Sequence, residues 1–217
     1  MCDARLFGPQ IAELGGLSHS FGSDEDKVED MASRLLQTPG QLALVGLSMG
    51  GIIAMEMLRQ APDRVERIAL LDTNPLAEKP DIQARRAPQM QAVREGRLAA
   101  VMRDEMKPNY LSDGPQKQGI LDLCMDMALN AGDQVFLNQS IALRDRPDQT
   151  ETLRHFKGPA LVLCGRDDTL CPIGRHELMH DLMPQSTLEI IDGAGHLPTL
   201  EQPTQTTKAL RRWLEST

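Results

Sequence analysis

Four short apolar runs, three of them followed by a helical pattern, constrain the fold of this chain more than any other feature. Runs of this length without polar alternation are typical of parallel strands that are buried on both faces. Alternation of strand and helix predicts an α/β fold with a mainly parallel sheet that is flanked by helices. The strands are predicted at residues 42–45, 68–71, 160–164 and 188–191, and the helices at 50–59, 174–183 and 204–214.

Residues 75–155 break this alternation. They hold four segments with Met and Leu at helical spacing, at residues 82–95, 98–106, 119–131 and 133–144. We therefore predict an all-helical insertion between the second and third strands. Methionine stripes of this kind are more typical of a packed core than of a pocket lining. The length of 217 residues suits a single domain over residues 1–217 that carries this insertion.

The composition excludes several classes of partner. The chain has 23 basic and 31 acidic residues, for a net charge of −8, which is the wrong sign for a nucleic-acid surface. No apolar run is long enough to cross a bilayer, and no signal-peptide pattern follows Met1. The four cysteines lie in no regular pattern. We therefore expect a cytoplasmic protein with reduced thiols and with neither a nucleic-acid nor a membrane partner.

The segment Gly46-Leu47-Ser48-Met49-Gly50 matches the pattern G-x-S-x-G and is followed by Gly51. It lies between the predicted strand at residues 42–45 and a predicted helix, which is the strand–turn–helix setting of a nucleophilic serine. We predict that glycines two residues to either side of Ser48 are needed because side chains there would collide in the tight turn. The Met49 amide, at the N-terminus of the helix, is the predicted oxyanion donor. The alternative is a Gly-rich turn that binds a phosphate or no ligand.

A serine hydroxyl needs a base to take its proton, and the base needs a carboxylate to orient it. His196 follows the predicted strand at 188–191 and is the candidate base; a structural hydrogen bond is its alternative role. Asp168 follows the strand at 160–164 and is preferred to Asp167 as the acid, with helix capping as its alternative role. Asp72, after the second strand, is an alternative acid whose simpler role is turn formation.

The segment His176-Glu177-Leu178-Met179-His180 supplies a rival motif, H-E-x-x-H. On a helix this spacing places two histidines on one face, where they can bind zinc beside a glutamate base. Charged neighbours flank the motif, and a third histidine six residues further on is absent from the sequence. The segment therefore favours an amphipathic surface helix, and a zinc peptidase is kept as a minor alternative.

Three motifs in order resemble those of the α/β-hydrolase fold superfamily of serine hydrolases. They are Gly46-Leu47-Ser48-Met49-Gly50-Gly51, Gly165-x-x-Asp168-x-x-x-Pro172, and Gly193-x-Gly195-His196-Leu197-x-x-x-Glu201-x-Pro203. The resemblance extends from about residue 40 to the C-terminus, with the helical insertion at about 75–155 in the place of the family's cap.

The resemblance implies an α/β-hydrolase fold and a serine esterase that cleaves a small carboxylic ester or a related acyl compound. The reaction would use a Ser48–His196–Asp168 catalytic triad and an acyl-enzyme, with a small-molecule substrate, no cofactor and no metal. A catalytically weak or silent protein that binds a ligand or a partner on the same fold is the alternative.

The N-terminal part departs from the family pattern. Members carry a first core strand and a His-Gly-like loop whose N–H is the second oxyanion donor, and the resemblance implies that this strand is missing here. The pattern Phe7-x-x-Gln10-Ile11-x-x-Leu14 resembles the helix that follows that loop, and another strand is expected at residues 15–22. We therefore expect the chain to be a weaker or less stable catalyst than a version extended upstream, unless the amides of residues 1–5 supply the second donor.

Overall fold

The computed structural model describes residues 1–16 and 24–216 and contains a four-stranded parallel sheet. The strand order is the chain order, with each strand paired to the next. The mainly parallel sheet predicted from the apolar runs is therefore confirmed. The strands are β1 (Leu42–Leu47), β2 (Val65–Leu71), β3 (Ala160–Gly165) and β4 (Thr187–Ile191).

The two central strands consist almost entirely of buried apolar residues, as parallel strands covered on both faces should. Leu70, Leu71, Val162 and Leu163 have no exposed surface. The register aligns the last residues of neighbouring strands, since Leu47 pairs with Leu71 and Gly165 pairs with Ile191. The loops that follow the strands consequently emerge at one edge of the sheet.

Helices cover both faces of the sheet, and a further group lies between β2 and β3 in the chain. Three α-helices precede β2, five lie between β2 and β3, and three follow β3 in the described part of the chain. We call the five central ones, α4 to α8, the inserted helices. The helices are α1 (Gly8–Leu14), α2 (Val28–Leu35), α3 (Met49–Gln60), α4 (Pro80–Arg94), α5 (Leu98–Val101), α6 (Lys117–Ala131), α7 (Asp133–Asp145), α8 (Thr150–His155), α9 (Ile173–Leu182), α10 (Pro198–Glu201) and α11 (Pro203–Glu215).

Buried residues form three apolar clusters. One includes Ile53 of α3 and Met179 of α9, and a second includes Trp213 of α11 and Met127 of α6. The third lies among α4, α5 and α7 and contains Met90, Val93, Val101, Met102 and Phe136. Burial of apolar area drives such packing at about 25 cal/mol per Å². Part of the inserted helices thus has a small core of its own.

The N-terminal segment has a helix where the sequence predicts one, at α1. The strand expected at residues 15–22 falls mostly outside the described residues, and Gly15 and Gly16 are not in a strand. Within the described sheet β1 is an edge strand, with Ala43 and Val45 exposed. Among the residues that the structure describes, no helix is both long and apolar enough for a membrane span.

Candidate active site

Ser48 lies in a strained turn between β1 and α3. Its φ of 54° and ψ of −117° place it outside the regions that a residue with a side chain ordinarily adopts. A Cβ atom at Gly46 would overlap the backbone of Gly50, and one at Gly51 would lie 2.7 Å from the Thr73 side chain. The prediction for Gly50 is wrong, because a Cβ there meets no described atom within 4 Å. The turn requires glycine at 46 and 51 instead.

Hydrogen bonds from the neighbouring strand hold Ser48 in this conformation. The Ser48 N–H donates to Leu71 O at 2.9 Å, and the Thr73 hydroxyl donates to Ser48 O at 2.6 Å. The amides of Gly51 and Ile52 also donate to Ser48 O, at 3.0 and 3.2 Å. Met49 is the first residue of α3, where N–H groups lack a carbonyl partner within the helix. The helix N-terminus therefore offers donors beside the serine hydroxyl.

The structure brings Ser48, His196 and Asp168 together. The Ser48 hydroxyl oxygen lies 2.9 Å from His196 Nε2, and His196 Nδ1 lies 2.8 Å from Asp168 Oδ2. Both distances are within the usual range for hydrogen bonds. The His196 and Asp168 side chains are almost wholly buried. The three side chains thus form one continuous hydrogen-bonded line.

Asp168 is held in its charged form. Its second oxygen, Oδ1, accepts the backbone N–H groups of Leu170 at 2.8 Å and of Cys171 at 3.0 Å. Burial opposes ionisation, but the hydrogen bond and charge of His196 and these two amides outweigh it and lower the pKa of Asp168. Asp167 is exposed to solvent. Of the two neighbouring aspartates, Asp168 is the one that the fold turns toward the imidazole.

Asp72 does not take the position of the orienting acid. The imidazole Nδ1 is bonded to Asp168, while Asp72 Oδ1 accepts the Gly165 N–H at 2.9 Å. Asp72 has no exposed surface and a φ of 42°. Asp72 is therefore not the carboxylate that is bonded to the imidazole.

The backbone around His196 is tied to the inserted helices. The His196 N–H donates to Tyr110 O at 2.7 Å, and the two aromatic rings lie 6.0 Å apart between centroids. A Cβ at Gly195 would lie 2.8 Å from both Tyr110 O and Ser112 N. The glycine beside the histidine is therefore required by this close backbone approach.

Glu201 joins the same two segments. Its carboxylate accepts the N–H groups of Ser112 at 2.8 Å, of Gly195 at 3.0 Å and of Leu197 at 3.0 Å. Gly195 and Leu197 are the two neighbours of His196. One carboxylate thus holds the histidine loop and connects it to the chain between α5 and α6.

The H-E-x-x-H segment forms half of α9, and one ring nitrogen of each histidine has a partner elsewhere in the chain. His176 is fully buried, and its Nε2 accepts the Thr73 N–H at 3.2 Å. Burial lowers the pKa of His176 to about 4, so the ring is neutral at pH 7. His180 Nδ1 is paired with the Ser186 hydroxyl at 2.7 Å, and Glu177 is exposed. This arrangement is that of a helix packed beside the site rather than of a shared ligand set.

Among the described residues, the one group of metal-ligand types with mutually close donor atoms is Asp168, Cys171 and His196, within 4.8 Å of one another. Two of its members already share a hydrogen bond. Burial and the negative charges of Asp168 and Asp72 raise the pKa of the Cys171 thiol, which is therefore protonated. The thiol is a neutral neighbour of the triad.

Three backbone nitrogen groups near the N-terminus, those of Met1, Asp3 and Arg5, have partners other than Ser48. The terminal ammonium group donates to Gln139 Oε1 at 2.7 Å, and the Asp3 N–H faces Met127 Sδ at 3.5 Å. The Arg5 N–H donates to Asp3 Oδ1 at 3.0 Å. These three groups are thus not available as second oxyanion donors.

A cavity of about 450 Å³ lies at the other end of the sheet, lined among others by Ala160, Thr187 and Trp213. Ala160 and Thr187 are the first residues of β3 and β4. The catalytic candidates follow the last residues of their strands, where ligands bind in open parallel sheets. The cavity is therefore remote from the site.

The roles of three residues around the site could not be predicted, or could be predicted only in part, from the sequence. Glu201 belongs to the motif around His196, but that pattern does not reveal that its carboxylate links the histidine loop to the chain near Ser112. Thr73 follows Asp72 in a loop after a strand, and this position is its only signal. Tyr110 lies between helices of the insertion and contacts His196 through a carbonyl oxygen, which no side-chain pattern reveals.

Comparison with known proteins places these observations in one family. The model of a family described as "Alpha/beta hydrolase family" matches residues 3–209. A biotin biosynthesis bifunctional protein of Teredinibacter turnerae is 26% identical over 217 residues, which cover 93% of this chain but only 38% of that protein. A pimeloyl-[acyl-carrier protein] methyl ester esterase of Klebsiella pneumoniae is 28% identical over 92% of this chain and 80% of its own length.

Solved structures agree with this placement. A thermophilic esterase from Thermogutta terrifontis has a TM-score of 0.88 and 28% identity over 98% of this chain and 85% of its own. The enol-lactonase from Burkholderia xenovorans has a TM-score of 0.85 at 19% identity, over 99% of this chain and 88% of its own, which shows the fold alone. The fold predicted from the three motifs is confirmed, and the chain is an enzyme of the alpha/beta hydrolase family.

Proposed function

We propose that the chain hydrolyses small carboxylic esters or related acyl compounds through an acyl-enzyme. Ser48 is the nucleophile, His196 the general base, and Asp168 the carboxylate that orients the base. The observation that carries this proposal is the unbroken line of 2.9 and 2.8 Å contacts from the Ser48 hydroxyl through the imidazole to the Asp168 carboxylate. Such a line is the geometric signature of an activated serine.

In the first half-reaction the Ser48 oxygen attacks the ester carbonyl while its proton passes to His196 Nε2. Asp168 accepts a hydrogen bond from the Nδ1–H group and stabilises the imidazolium. The imidazolium then protonates the leaving alcohol as the carbon–oxygen bond of the ester breaks. The acyl group remains on Ser48.

In the second half-reaction a water molecule replaces the alcohol. His196 takes a proton from the water, the hydroxide oxygen attacks the acyl carbon, and the serine oxygen leaves with the proton from Nε2. The products are a carboxylic acid and the original enzyme. The atoms balance without a cofactor or a metal, and we propose none.

The tetrahedral intermediates of both steps carry a negative oxygen. We propose that the Met49 N–H, at the N-terminus of α3, donates to this oxygen. The helix dipole has the sign that favours a negative charge there. Removing one such donor typically costs about 10²–10³ in kcat.

The substrate class follows from the relatives named above and from the inserted helices. The relative from Klebsiella pneumoniae is a pimeloyl-[acyl-carrier protein] methyl ester esterase, so a methyl ester of an acyl chain is the first substrate to test. We propose that the inserted helices form a cap over the site and select the acyl group. Tyr110 lies between two of these helices, and its carbonyl oxygen accepts the His196 N–H, so it would connect the cap to the site.

We also propose a cytoplasmic location.

A series of chromogenic esters of increasing acyl length tests this proposal, together with labelling by a fluorophosphonate probe. We expect hydrolysis and labelling by the wild-type protein, and neither by Ser48→Ala. The matched control is Ser33→Ala, an exposed serine on α2, which should behave as wild type. Melting temperatures should be similar for all three proteins.

Two outcomes would overturn the proposal. Labelling that persists in Ser48→Ala would place the nucleophile elsewhere. A folded wild-type protein without labelling or hydrolysis would support the alternative of a silent ligand-binding protein.

A further inference from the structure

A second buried carboxyl group lies directly behind the triad. Asp72 has no exposed surface, and its Oδ1 accepts the Gly165 N–H at 2.9 Å. Its other oxygen, Oδ2, is also buried, and no described N–H or O–H group donates to it. A carboxylate anion accepts hydrogen bonds at both oxygens, so an empty buried oxygen is costly for the charged form.

The group that faces this carboxyl is Asp168. The Asp72 and Asp168 side chains lie within hydrogen-bonding reach of each other. Two carboxylate anions cannot form a hydrogen bond, because neither has a proton to donate. Asp168 receives three donors, from His196, Leu170 and Cys171, whereas Asp72 receives one. If one of the two carboxyl groups carries a proton, it is Asp72, because Asp168 has more hydrogen-bond donors to stabilise a negative charge.

The surroundings of Asp72 agree with this assignment. The titratable groups that act on it or that it acts upon are Asp168, Glu201 and the thiols of Cys164 and Cys171. Burial, and after it the negative charge of Asp168, raises the pKa of Asp72 well above its ordinary value.

We propose that Asp72 is a neutral carboxylic acid in the working enzyme and that its Oδ2–H group donates to Asp168. It is a positioning residue, because it acts on His196 only through the Asp168 carboxylate. The hydrogen bond adds a fourth donor to that carboxylate, beside His196, Leu170 and Cys171. Its effect on catalysis rests on the proposed function above, whereas the protonation of Asp72 does not.

The backbone of Asp72 also has an unusual conformation, with a positive φ angle. Ser48 and Asp72 are the two non-glycine residues with positive φ in the described part of the chain. They follow neighbouring strands, and Thr73 links them because its hydroxyl donates to Ser48 O at 2.6 Å. Strained residues of this kind concentrate at functional sites.

The substitution Asp72→Asn gives the sharpest test, because asparagine is neutral, has the same shape, and keeps an acceptor for Gly165 and a donor for Asp168. We expect kcat/KM within a few-fold of wild type and an unchanged midpoint on the acid side of its pH profile. Asp72→Val removes the donor, so kcat should fall about tenfold or more with a smaller change in KM. If Asp72 were an anion, Asp72→Asn would remove a negative charge near the base and shift the acid-side midpoint to lower pH. That shift would overturn the proposal.

Two measurements do not depend on catalysis. The infrared difference spectrum between wild type and Asp72→Asn should contain the carbonyl band of a protonated carboxylic acid. If the pKa of Asp72 is raised in the folded protein, its contribution to the free energy of unfolding is complete below its unfolded-state pKa of about 3.9. This contribution is lost as the pH rises toward its folded-state pKa. Asparagine does not titrate, so the melting temperature of Asp72→Asn should gain on that of wild type as the pH rises above about 4.

The outcomes separate this proposal from the proposed function. Absence of the infrared band, together with a melting-temperature difference that is constant with pH, would overturn the protonation of Asp72 even if the esterase is active. Presence of both signals in a protein without esterase activity would support the protonation and reject the function. If Asp72→Val does not fold, the Asp72→Asn data decide.

Discussion

At the scale of single residues, the proposed base is His196, whose neutral imidazole would accept the Ser48 proton. Asp168 stays charged beside it, because its hydrogen bonds outweigh the opposing effect of burial and lower its pKa. His196→Ala should reduce kcat by several orders of magnitude.

Steady-state kinetics of His196→Ala on a chromogenic ester measure this effect. The matched control is His155→Ala, an exposed histidine on α8, which should keep wild-type kcat. Near-normal turnover by His196→Ala at pH 8 would exclude this histidine as the base.

The three residues proposed as a triad could be singled out from the sequence because each belongs to a local pattern, and the patterns around Ser48 and His196 have a steric reason. The glycines around Ser48 and His196 are examples, since neighbouring backbone leaves no room for a Cβ at Gly46 or Gly195. The condition of Asp72 was not predictable. It depends on which donors reach two carboxyl groups that are far apart in the sequence, and only the folded chain determines that.

At the scale of secondary-structure elements, α3 depends on a buried acidic residue. Glu56 has no exposed surface, and its carboxylate accepts hydrogen bonds from Arg59 at 2.6 and 2.8 Å, from Gln60 at 2.8 Å and from Gln149 at 2.7 Å. Gln149 is itself buried and precedes α8. Glu56 therefore joins the helix of the serine turn to the last of the inserted helices.

Removal of this carboxylate should destabilise the fold. Glu56→Ala leaves the Gln149 amide buried without its acceptor, and we expect a loss of about 2–4 kcal/mol in the free energy of unfolding. Urea denaturation at pH 7 measures this loss. The control Glu95→Ala removes an exposed carboxylate that pairs with Arg97 and should change the free energy by less than about 0.5 kcal/mol.

The same variant has a defined pH dependence. Burial opposes the charge of Glu56, but its hydrogen bonds with Arg59, Gln60 and Gln149 outweigh burial and lower its pKa. Its contribution to stability is thus complete above the unfolded value of about 4.3 and decreases as the pH falls through the folded value. The difference between wild type and Glu56→Ala should narrow below about pH 4. A difference that is constant between pH 3 and 7 would contradict this account.

Strands and long helices could be predicted from the sequence more closely than short ones. The four apolar runs locate β1 to β4 to within three residues at each end, because burial on both faces leaves an uninterrupted apolar signal. The helix predicted at 98–106 is α-helical only over Leu98–Val101 and continues as a π-helix over Met102–Met106. Helix α8 was not predicted, since six residues are too few to show a helical period.

At the scale of the whole molecule, β1 is both the strand that leads to Ser48 and an edge of the described sheet. Its six residues, Leu42–Leu47, carry no charge, and Val45 is 40% exposed. Uncharged apolar edge strands are templates for pairing with other chains. We expect this edge to be the main origin of self-association of the chain as given.

Val45→Lys tests this expectation. A lysine on β1 should reduce the light scattering of a concentrated solution on mild heating while esterase activity stays within a few-fold. The control Leu129→Lys makes a similar change on α6, away from the sheet, at a residue that is 47% exposed. Equal effects of the two substitutions would show that general surface polarity, rather than the edge of β1, controls self-association.

The contact between Ser48 and His196 joins residues that are 148 positions apart in the chain. Loops of that span close late in folding, because their entropy must be lost before the contact can form. The serine turn contains only local contacts and β1–β2 pairing, so it can exist on a growing polypeptide whose base has not yet been synthesised. A chain emerging from the ribosome would thus hold a shaped but inert nucleophile until its last quarter arrives. Recovery of turnover during refolding would in turn report the final step of assembly rather than the collapse that precedes it.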